Sequence, residues 1–375
     1  MDFELTDTQR AIRRSARELA EEHFAEAAFT WEGETPEENA KILANHGFLG
    51  MTLPEEYGGA DADWMETLMA MEGVGEVCPD SASVIRRTNV GNVQIIAKFA
   101  SESIKQRYLP PVCAGESFIA VAMSEPEHGS DATHMETTAE RDGDAYVVNG
   151  RKAWVSGAPE ADAFVTYVRF ENDNVGSILV DADTPGFTVA EPDVNMAGED
   201  QSQLFFDDAR VPVENELVVG SDSFKQAIET YNVNRVTSMA VNWITAKWLF
   251  EEALEYAQER EQFGQPIGEF QGVSHRLADM AIKLETGRYL IYRSLSGTDL
   301  PGRLLSSMVK VYVAESAYEV ADAALQVKGA AGYVGETPES YAFRKLRGGL
   351  LAGGTPNIHR NNVAKSLYSE GYPEL

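Results

Sequence analysis

The stretch Val121–Gly157, which opens with VAMSEPEHGSD and closes with RKAWVSG, determines how the rest of the chain is interpreted. Between these two motifs apolar and polar residues alternate, and the dipeptides Asp142-Gly143 and Asn149-Gly150 predict turns. We therefore expect a β-module in the middle of the chain. Its serine hydroxyls and the flat ring of Trp154 could bind a planar ligand. The alternative is a structural role, since a tryptophan in a strand more often belongs to a core.

The charge of the chain is strongly unbalanced. Aspartate and glutamate number 60, lysine and arginine number 31, and the net charge is −29 at neutral pH. Nucleic acid would repel such a chain, so we expect no nucleic-acid partner. The acidic residues are dispersed, which is typical of a solvated surface rather than a disordered tail. We interpret this as adaptation to a cytoplasm rich in salt, a halophilic trait, because salt screens the repulsion; an ordinary acidic enzyme is the alternative.

Length and composition predict a globular protein. The 375 residues suffice for two or three domains with a sizeable core. No apolar run reaches the length of a membrane span, and the first ten residues, MDFELTDTQR, are acidic where a secretory signal would be basic and then apolar. We therefore expect a cytoplasmic location and no membrane span. Cys78 and Cys113 are too few for a disulfide framework and lack the spacing of a zinc site, so we expect no metal.

Helical patterns flank the β-module. Thr6 and Gln9 predict a capping box at the first helix, and Pro110-Pro111 with Gly115 would close the first helical region. The other predicted helices are Glu37–Gly47, Trp64–Val77, Val90–Ala100, Ser223–Gln262, Val273–Ser296, Pro301–Lys328 and Asn357–Ser369, and a short segment, Pro338–Leu346, lies between two glycine-rich breaks. The predicted strands are Tyr146–Val148, Lys152–Val155, Ala163–Arg169, Ser177–Val180, Phe187–Ala190 and Gln203–Phe206.

These patterns predict an α+β protein with three domains. Residues 1–117 would form a helical amino-terminal domain and residues 118–222 a middle β-domain, an antiparallel barrel or sandwich. Residues 223–375 would form a carboxy-terminal four-helix bundle, because long helices joined by short loops pack as antiparallel neighbours. No glycine-rich phosphate loop follows a strand, so a Rossmann domain is disfavoured.

Six motifs occur in an order that resembles the acyl-CoA dehydrogenase family of flavoproteins. They are LPEEYGG, AMSEPEHGSD, NGRKAWVSG, ERxQFGQPIGEFQ, QxxGAAGY and GTPNIHR, and they extend over essentially the whole chain. The resemblance implies FAD as cofactor, an acyl-CoA thioester as substrate and an electron-transfer flavoprotein as electron acceptor in fatty acid metabolism. It also implies a homo-oligomer, a dimer or, as is usual in the family, a homotetramer.

The resemblance also assigns residues to the site. Those implied to contact FAD are Met123, Ser124, Ser130, Trp154, Val155, Ser156, Arg260, Phe263, Gln271, Thr355 and Asn357, with Gln326, Gly329 and Ala330 reaching FAD from a neighbouring subunit. Those implied to contact the substrate are Ser130, Arg235, Gly353 and Gly354. Without the motifs, Arg260 and Gln326 would be interpreted as ordinary exposed residues. We interpret His128, His275 and His359 as ordinary histidines.

The family's catalytic base is missing at both of its usual positions. The reaction removes a proton next to the thioester, which requires a carboxylate of raised pKa. Most members carry a glutamate at the position of Gly353, and some carry it at the position of Asn234. Gly353 retains the backbone N–H that, by the resemblance, would polarise the thioester. Lys345 stands where the family commonly has an aspartate after the arginine at 344, so we expect the acyl pocket to differ as well. The catalytic residue is therefore unknown.

Four interpretations remain open. The chain could be an FAD-dependent acyl-CoA dehydrogenase, or a reductase running in reverse, with a base elsewhere. It could be a subunit of a hetero-oligomer whose partner supplies the glutamate, in which case a stable complex should co-purify. It could be a flavin monooxygenase of the same fold, which needs no α-proton base and whose reduced form would consume oxygen. A non-catalytic interaction protein is the fourth.

Overall fold

The computed structural model describes residues 4–26, 28–29, 37–297 and 300–372. Its contacts divide the chain into two compact units. The helical unit comprises Met1–Glu32, Trp64–Ser83 and Arg235–Leu375, and the sheet unit comprises Gly33–Asp63 and Val84–Asn234. The predicted domain boundaries near residues 117 and 222 stay a prediction. Among the helices that the structure describes, none is both long enough and apolar enough to cross a bilayer.

The helices, in chain order, are α1 Asp7–His23, α2 Glu37–Asn45, α3 Trp64–Gly75, α4 Pro79–Asn89, α5 Asn92–Phe99, α6 Glu102–Cys113, α7 Ser223–Glu259, α8 Gln271–Leu295, α9 Arg303–Lys328, α10 Pro338–Gly348 and α11 Pro356–Glu370. The strands are β1 Ile119–Ala122, β2 Thr138–Asp142, β3 Ala145–Ser156, β4 Ala163–Phe170, β5 Val175–Asp181, β6 Phe187–Val189, β7 Asp193–Val194, β8 Asp200–Pro212, β9 Glu216–Val218, β10 Glu261–Gln262 and β11 Gln265–Pro266. The seven helices predicted by range all lie within three residues of the observed bounds, and the short segment at Pro338–Leu346 forms α10.

The helical unit is built around α9, against which α8, α10 and α11 pack. Helix α9 is buried on most of its surface, because small residues such as Ala314, Ala317 and Ala321 let three neighbours approach closely. Helix α7 joins this group through its Trp243, whose indole N–H donates to the Leu284 carbonyl of α8 at 2.8 Å. The predicted capping box at the start of α1 is confirmed. The predicted helical bundle at the carboxy-terminal end of the chain is likewise confirmed.

The sheet unit contains a mixed sheet rather than the antiparallel barrel that we expected. Its strand order is β6-β8-β3-β2-β4-β5-β9, with β1 on β4 and β7 on β8. Strands β1 and β2 both run parallel to β4. Within the described part of the chain β6 and β9 are the two ends of the sheet, so closure into a barrel is not observed. The spacing of the strands predicted their existence but not the direction of their pairing.

One predicted turn is instead a bulge. Asn149-Gly150 lies inside β3, where the register against β8 shifts between Val148 and Gly150. Gly150 has φ +139°, and a Cβ there would lie 2.7 Å from Cα of Thr137, so the strand needs glycine at this point. The Asn149 side chain pairs with Asp208 of β8, accepting from its backbone N–H at 2.9 Å. Both halves of β3 therefore pair with the same neighbouring strand instead of with each other.

The prolines at 110 and 111 do not close the helical region before them. Both lie inside α6, near its end. A proline lacks the N–H but its carbonyl still accepts, and Pro110 accepts from the N–H of Ala114 at 3.0 Å. Helix α4 was not predicted either. Its Asn89 donates to the carbonyl of Phe48 at 3.1 Å, which shows that tertiary contacts stabilise a segment of weak helical propensity.

Candidate functional site

In the sheet unit the two central motifs lie side by side. The backbone N–H of Ala153 donates to the carbonyl of Ser124 at 2.9 Å, and the ammonium of Lys152 donates to the carbonyl of Met123 at 3.2 Å. The structure thus brings Met123 and Ser124 next to the strand that carries Trp154. Ser130 is exposed in the loop that follows this segment.

Trp154 is presented outward by an unusual backbone conformation. Its φ is +63°, at a register shift of β3, and its side chain is 58% exposed, whereas Ala153 and Val155 are buried. A residue with a side chain in this region is disfavoured by about 1–2 kcal/mol, which usually marks a functional position. The exposed Ser156 accepts from Gln201 at 3.2 Å. Ring and hydroxyl are therefore available to a ligand, while Val155 can offer only its backbone.

A buried ion pair holds the two motifs together. Lys152 and Glu125 are almost completely inaccessible, and the lysine Nζ lies 2.8 Å from the glutamate Oε1. Glu125 also accepts from the backbone N–H of Glu136 at 2.6 Å and from the backbone N–H and hydroxyl of Thr137 at 2.9 and 2.6 Å. This pair could not be predicted from local sequence patterns, because it joins residues 27 positions apart.

The environment of Glu125 makes it a poor base. Burial alone would raise the pKa of its carboxyl group, but the Glu136 N–H, Lys152 and Thr137 together lower the pKa to about 2. A carboxylate stabilised in this way retains little tendency to accept a proton. Glu125 therefore positions the loop of the first motif against β3 rather than taking part in proton transfer.

In the helical unit a buried lysine shapes the loop that contains Gly353. The Lys310 ammonium donates to the carbonyls of Gly349 and Ala352 at 2.6 and 2.7 Å. Arg235 contacts the carbonyl of Gly353 through Nε at 3.5 Å. Two of the residues implied to bind substrate, Arg235 and Gly353, are thus brought together. Burial and the neighbouring Arg235 lower the pKa of Lys310 to about 7.

His359 fixes the next part of this loop. Its Nε2 lies 3.0 Å from the carbonyl of Gly353 and its Nδ1 lies 3.1 Å from the hydroxyl of Ser307. A carbonyl can only accept, so Nε2 carries the proton and Nδ1 accepts from the serine. Burial lowers the pKa of His359, and the positive charge of Arg235 lowers it further, to about 4. The ring is therefore neutral near pH 7. It serves to orient the loop.

We expect Gly354→Ala to destabilise this loop more than Gly353→Ala. Gly354 and Gly353 both have positive φ, +91° and +69°. A Cβ at Gly354 would lie 2.7 Å from Nε2 of His359, whereas one at Gly353 would meet no atom of the described residues within 4 Å. Gly353→Ala therefore measures the cost of backbone strain alone, about 1–3 kcal/mol, whereas Gly354→Ala adds the clash with His359. Thermal unfolding should show a lower midpoint for Gly354→Ala. Equal midpoints would contradict the role of His359.

Thr355 and Asn357 lie at the start of α11. Thr355 is the helix N-cap, and its hydroxyl accepts from the N–H of Ile358 at 3.4 Å. Its own hydroxyl proton can still be donated to a ligand. Asn357 is exposed in the first turn. The structure therefore leaves a polar group of each residue available.

The remaining predicted cofactor residues lie in exposed segments near the carboxy-terminal ends of α7 and α9, which are neighbours, since the Lys328 ammonium of α9 lies 5.8 Å from the Tyr256 ring centroid of α7. A two-residue hairpin after α7 turns at Phe263 and Gly264, both with positive φ, and leaves the Phe263 ring 95% exposed. Arg260 and Gln271 flank this hairpin and are exposed. Gln326 lies in the last turn of α9, Gly329 and Ala330 directly follow that helix, and all three are exposed.

Neither usual base position carries a carboxylate in the structure. Asn234 accepts from Nη1 of Arg86 at 2.7 Å, and Gly353 lies in the loop held by Lys310 and His359. The unusual Lys345 is accounted for, because its ammonium pairs with the buried carboxylate of Asp80, which also accepts from the hydroxyl of Tyr341. The charge change at position 345 is therefore neutralised inside the helical unit.

Three family models match the chain. The N-terminal, middle and C-terminal domains of acyl-CoA dehydrogenase match residues 6–116, 120–209 and 223–368. The chain is 35% identical to a 3-sulfinopropanoyl-CoA desulfinase from Paraburkholderia xenovorans (strain LB400), covering 98% of both chains. It is 32% identical to the short-chain specific acyl-CoA dehydrogenase of Mus musculus, covering 97% of this chain and 91% of the relative.

The fold gives the same result. The three-dimensional structure of butyryl-CoA dehydrogenase from Megasphaera elsdenii matches with a TM-score of 0.91 and 27% identity, covering 98% of this chain and all of the other. Three matched domains, full-length relatives and a shared fold lead to one conclusion. The chain belongs to the acyl-CoA dehydrogenase family.

Proposed function

We propose that the protein is an FAD-dependent oxidoreductase that acts on the α and β carbons of an acyl-CoA thioester. The observation that supports this most is the match of all three family domains over residues 6–116, 120–209 and 223–368. Bound FAD would supply the hydride acceptor. The chain would supply two groups. The backbone N–H of Gly353 would polarise the thioester carbonyl, and the guanidinium of Arg235 would lie beside it.

The described residues fit a flavin. In the sheet unit, Trp154 offers an exposed flat face and Ser156 an exposed hydroxyl, while Met123 and Ser124 lie alongside them. In the helical unit, the groups proposed to hold FAD are Arg260, Phe263, Gln271, Gln326, Gly329, Ala330, Thr355 and Asn357. Of these, Arg260 is the permanent cation and is suited to the pyrophosphate.

We expect Arg260→Ala to weaken FAD binding on the order of 10- to 100-fold, since a charge-assisted contact to phosphate would be lost. The flavin content of the purified variant, measured from its absorbance, would fall. Arg276→Ala is the matched control, because Arg276 is another exposed arginine of the same unit. Unchanged flavin content in Arg260→Ala would contradict the assignment.

Several finer properties belong to the same proposal. Electrons would pass to an electron-transfer flavoprotein, and the protein would act in the cytoplasm in fatty acid metabolism as a homo-oligomer, a dimer or tetramer. The exposed apolar residues Phe263, Tyr333 and Val334 support an oligomer, since a monomer would leave them in water. The net charge of −29 supports adaptation to high salt.

A second candidate function is removal of a sulfinate group from an acyl-CoA. It is favoured by the relative of that name at 35% identity and by the absence of a carboxylate at positions 234 and 353. The net reaction replaces the bond between carbon and sulfur by a bond between carbon and hydrogen. Water supplies the proton and the oxygen, and the sulfur leaves as hydrogensulfite. No net oxidation occurs, so a base for dehydrogenation is not required.

An anaerobic titration separates the two candidates. The purified holoenzyme is mixed with butyryl-CoA and, separately, with 3-sulfinopropanoyl-CoA, while flavin absorbance and sulfite are measured. Bleaching of the flavin by butyryl-CoA would support dehydrogenation. Release of sulfite with the flavin left oxidised would support desulfination. Absence of bound FAD, or of any response to either thioester, would contradict both.

A further inference from the structure

A carboxyl group is buried in the helical unit, where α3 packs against α1 and α8. Glu72 of α3 is 2% exposed. Its Oε2 accepts from the hydroxyl of Tyr292 of α8 at 3.0 Å. Nε of Arg13 of α1 lies 3.6 Å from the same oxygen, which is beyond hydrogen-bond distance. The other oxygen, Oε1, is buried and has no hydrogen-bond partner among the residues that the structure describes. Such an atom costs free energy unless a proton or another molecule satisfies it.

The cations of this region lie closer to Glu76, which directly follows α3, than to Glu72. Arg13 donates through Nη2 to Oε1 of Glu76. Nη1 of Arg17 lies 3.3 Å from Oε2 of Glu76, and Nζ of Lys247 of α7 lies 3.6 Å from its Oε1. Three cations therefore face the carboxylate of Glu76, whereas one cation faces the more deeply buried Glu72 at ion-pair distance.

The surroundings of Glu72 favour its neutral form. Burial raises the pKa of its carboxyl group to about 7, against the lowering effects of Arg13 and Tyr292. Glu76 raises this pKa further, and Arg288 of α8 has a smaller lowering effect. A neutral carboxyl group carries one O–H donor. Since Oε2 already accepts from Tyr292, the proton belongs on Oε1.

A small cavity adjoins Glu72. Its volume, counted as the space open to the centre of a water molecule, is about 10 Å³, which is roughly what one water needs. Four charged residues and two tryptophans contribute to its walls, namely Glu72, Glu76, Lys247, Glu251, Trp243 and Trp248. The polar walls can supply the two or more hydrogen-bond partners that a buried water requires.

We propose that Glu72 and this cavity form a proton-binding site, in which Oε1 carries the proton and donates it in a hydrogen bond to one water molecule held in the cavity. The water would in turn donate to the carboxylate of Glu76. Glu251 lines the same cavity and its side chain is 52% exposed, so the site lies close enough to the surface to exchange protons with solvent. Ionisation would leave a second buried negative charge beside Glu76 and would loosen the helical unit. This inference is independent of the proposed function.

The site gives the stability of the fold a pH dependence opposite to that from Glu125. The unfolded chain releases the Glu72 proton near the ordinary pKa of 4.5, whereas the folded protein holds it up to about pH 7. The stabilisation from this proton is therefore fully present below pH 4.5 and is lost as the pH rises through about 7. Glu125 instead loses its contribution as the pH falls below its ordinary pKa.

The test is denaturant unfolding of the purified holoenzyme and of Glu72→Gln, at about pH 5 and about pH 8, with salt and FAD held constant. Glutamine has nearly the shape of the neutral carboxyl group and cannot ionise. Raising the pH should lower the folding equilibrium constant of the unsubstituted protein, relative to Glu72→Gln, on the order of 10- to 100-fold. If Glu72 were an ionised partner of Arg13, the glutamine variant would instead lose stability relative to the unsubstituted protein at the higher pH.

Glu251→Gln is the matched control, because it removes a half-exposed carboxylate from the wall of the same cavity. It should change the effect of pH by less than about threefold. Tyr292→Phe provides the test if Glu72→Gln does not fold. It keeps the carboxyl group but removes the hydroxyl that stabilises the ionised form, so the range in which stability falls should move to higher pH.

The water is tested by a crystal structure at a resolution that shows ordered solvent, in which density within hydrogen-bond distance of Oε1 of Glu72 is expected. The inference is overturned if the unsubstituted protein and Glu72→Gln respond equally to pH, if Glu251→Gln removes the response as fully, or if Tyr292→Phe leaves the pH range unchanged. A cavity without water in the crystal would overturn it too. None of these results bears on the reaction with acyl-CoA, so the proposed function stands or falls separately.

Discussion

Lys152→Met is expected to lower the free energy of unfolding by about 3–5 kcal/mol, because it leaves the Glu125 carboxylate buried without its counter-ion. Lys152 is fully buried and Glu125 is 3% exposed, so water cannot replace the lost partner. The measurement is denaturant unfolding at fixed salt, followed by tryptophan fluorescence. We also expect loss of flavin, because the pair holds the segment at Met123 and Ser124 against β3.

The neighbouring pair provides the control. Arg151 forms an ion pair with Glu127, and both side chains are about half exposed. Exposed pairs of this kind contribute about 0–1 kcal/mol, so Arg151→Met should have little effect. The two substitutions differ by one position in sequence and change the same net charge. If they destabilise the protein equally, burial of the Lys152 pair is not the cause.

The same carboxylate gives the stability a defined dependence on pH. The pKa of Glu125 is about 2 in the folded protein, against an ordinary value of 4.5. The unfolded chain therefore takes up this proton first as the pH falls, and the stabilisation that is present above about pH 4.5 is lost progressively toward pH 2. Glu125→Gln should remove this part of the acid dependence. An unchanged acid profile in the variant would contradict the assignment.

Gly353→Glu is expected to raise the rate of flavin reduction by butyryl-CoA, on the order of 10²-fold, since a general base contributes about 10²–10⁴-fold. Space is available, because a Cβ at this position would meet no atom within 4 Å in the part of the chain that the structure describes. Two effects reduce the gain. The backbone has φ +69°, which costs about 1–2 kcal/mol for a residue with a side chain, and Arg235 near the Gly353 carbonyl would lower the pKa of the new carboxyl group.

The measurement is the anaerobic rate of loss of flavin absorbance. Gly353→Gln is the control, because it adds nearly the same volume at the same backbone angle without a base. Position 234 is the poorer place to restore the base, since a carboxylate there would face Arg86 and be held ionised. If Gly353→Glu binds FAD and butyryl-CoA but is no faster than Gly353→Gln, the acyl pocket itself has diverged and restoring the base is not sufficient.

The sequence by itself determined the class of the protein and the length of most of its helices. Apolar periodicity, the capping box at Thr6 and the absence of glycine and proline from α7 are local properties, so they predicted the start of α1 and the bounds of seven further helices to within three residues. The order of six motifs identified the family. The two missing carboxylates could also be found from sequence, because they are single positions within those motifs.

Only the tertiary structure decided how distant segments meet. The parallel pairing of β1 and β2 with β4, the bulge at Asn149-Gly150 and the helical prolines of α6 depend on neighbouring segments that local patterns do not contain. The same holds for the charges that matter most. Lys152 with Glu125, and Arg86 with Asn234, join residues 27 and 148 positions apart. Their effects come from burial, which folding creates and which the sequence does not specify residue by residue.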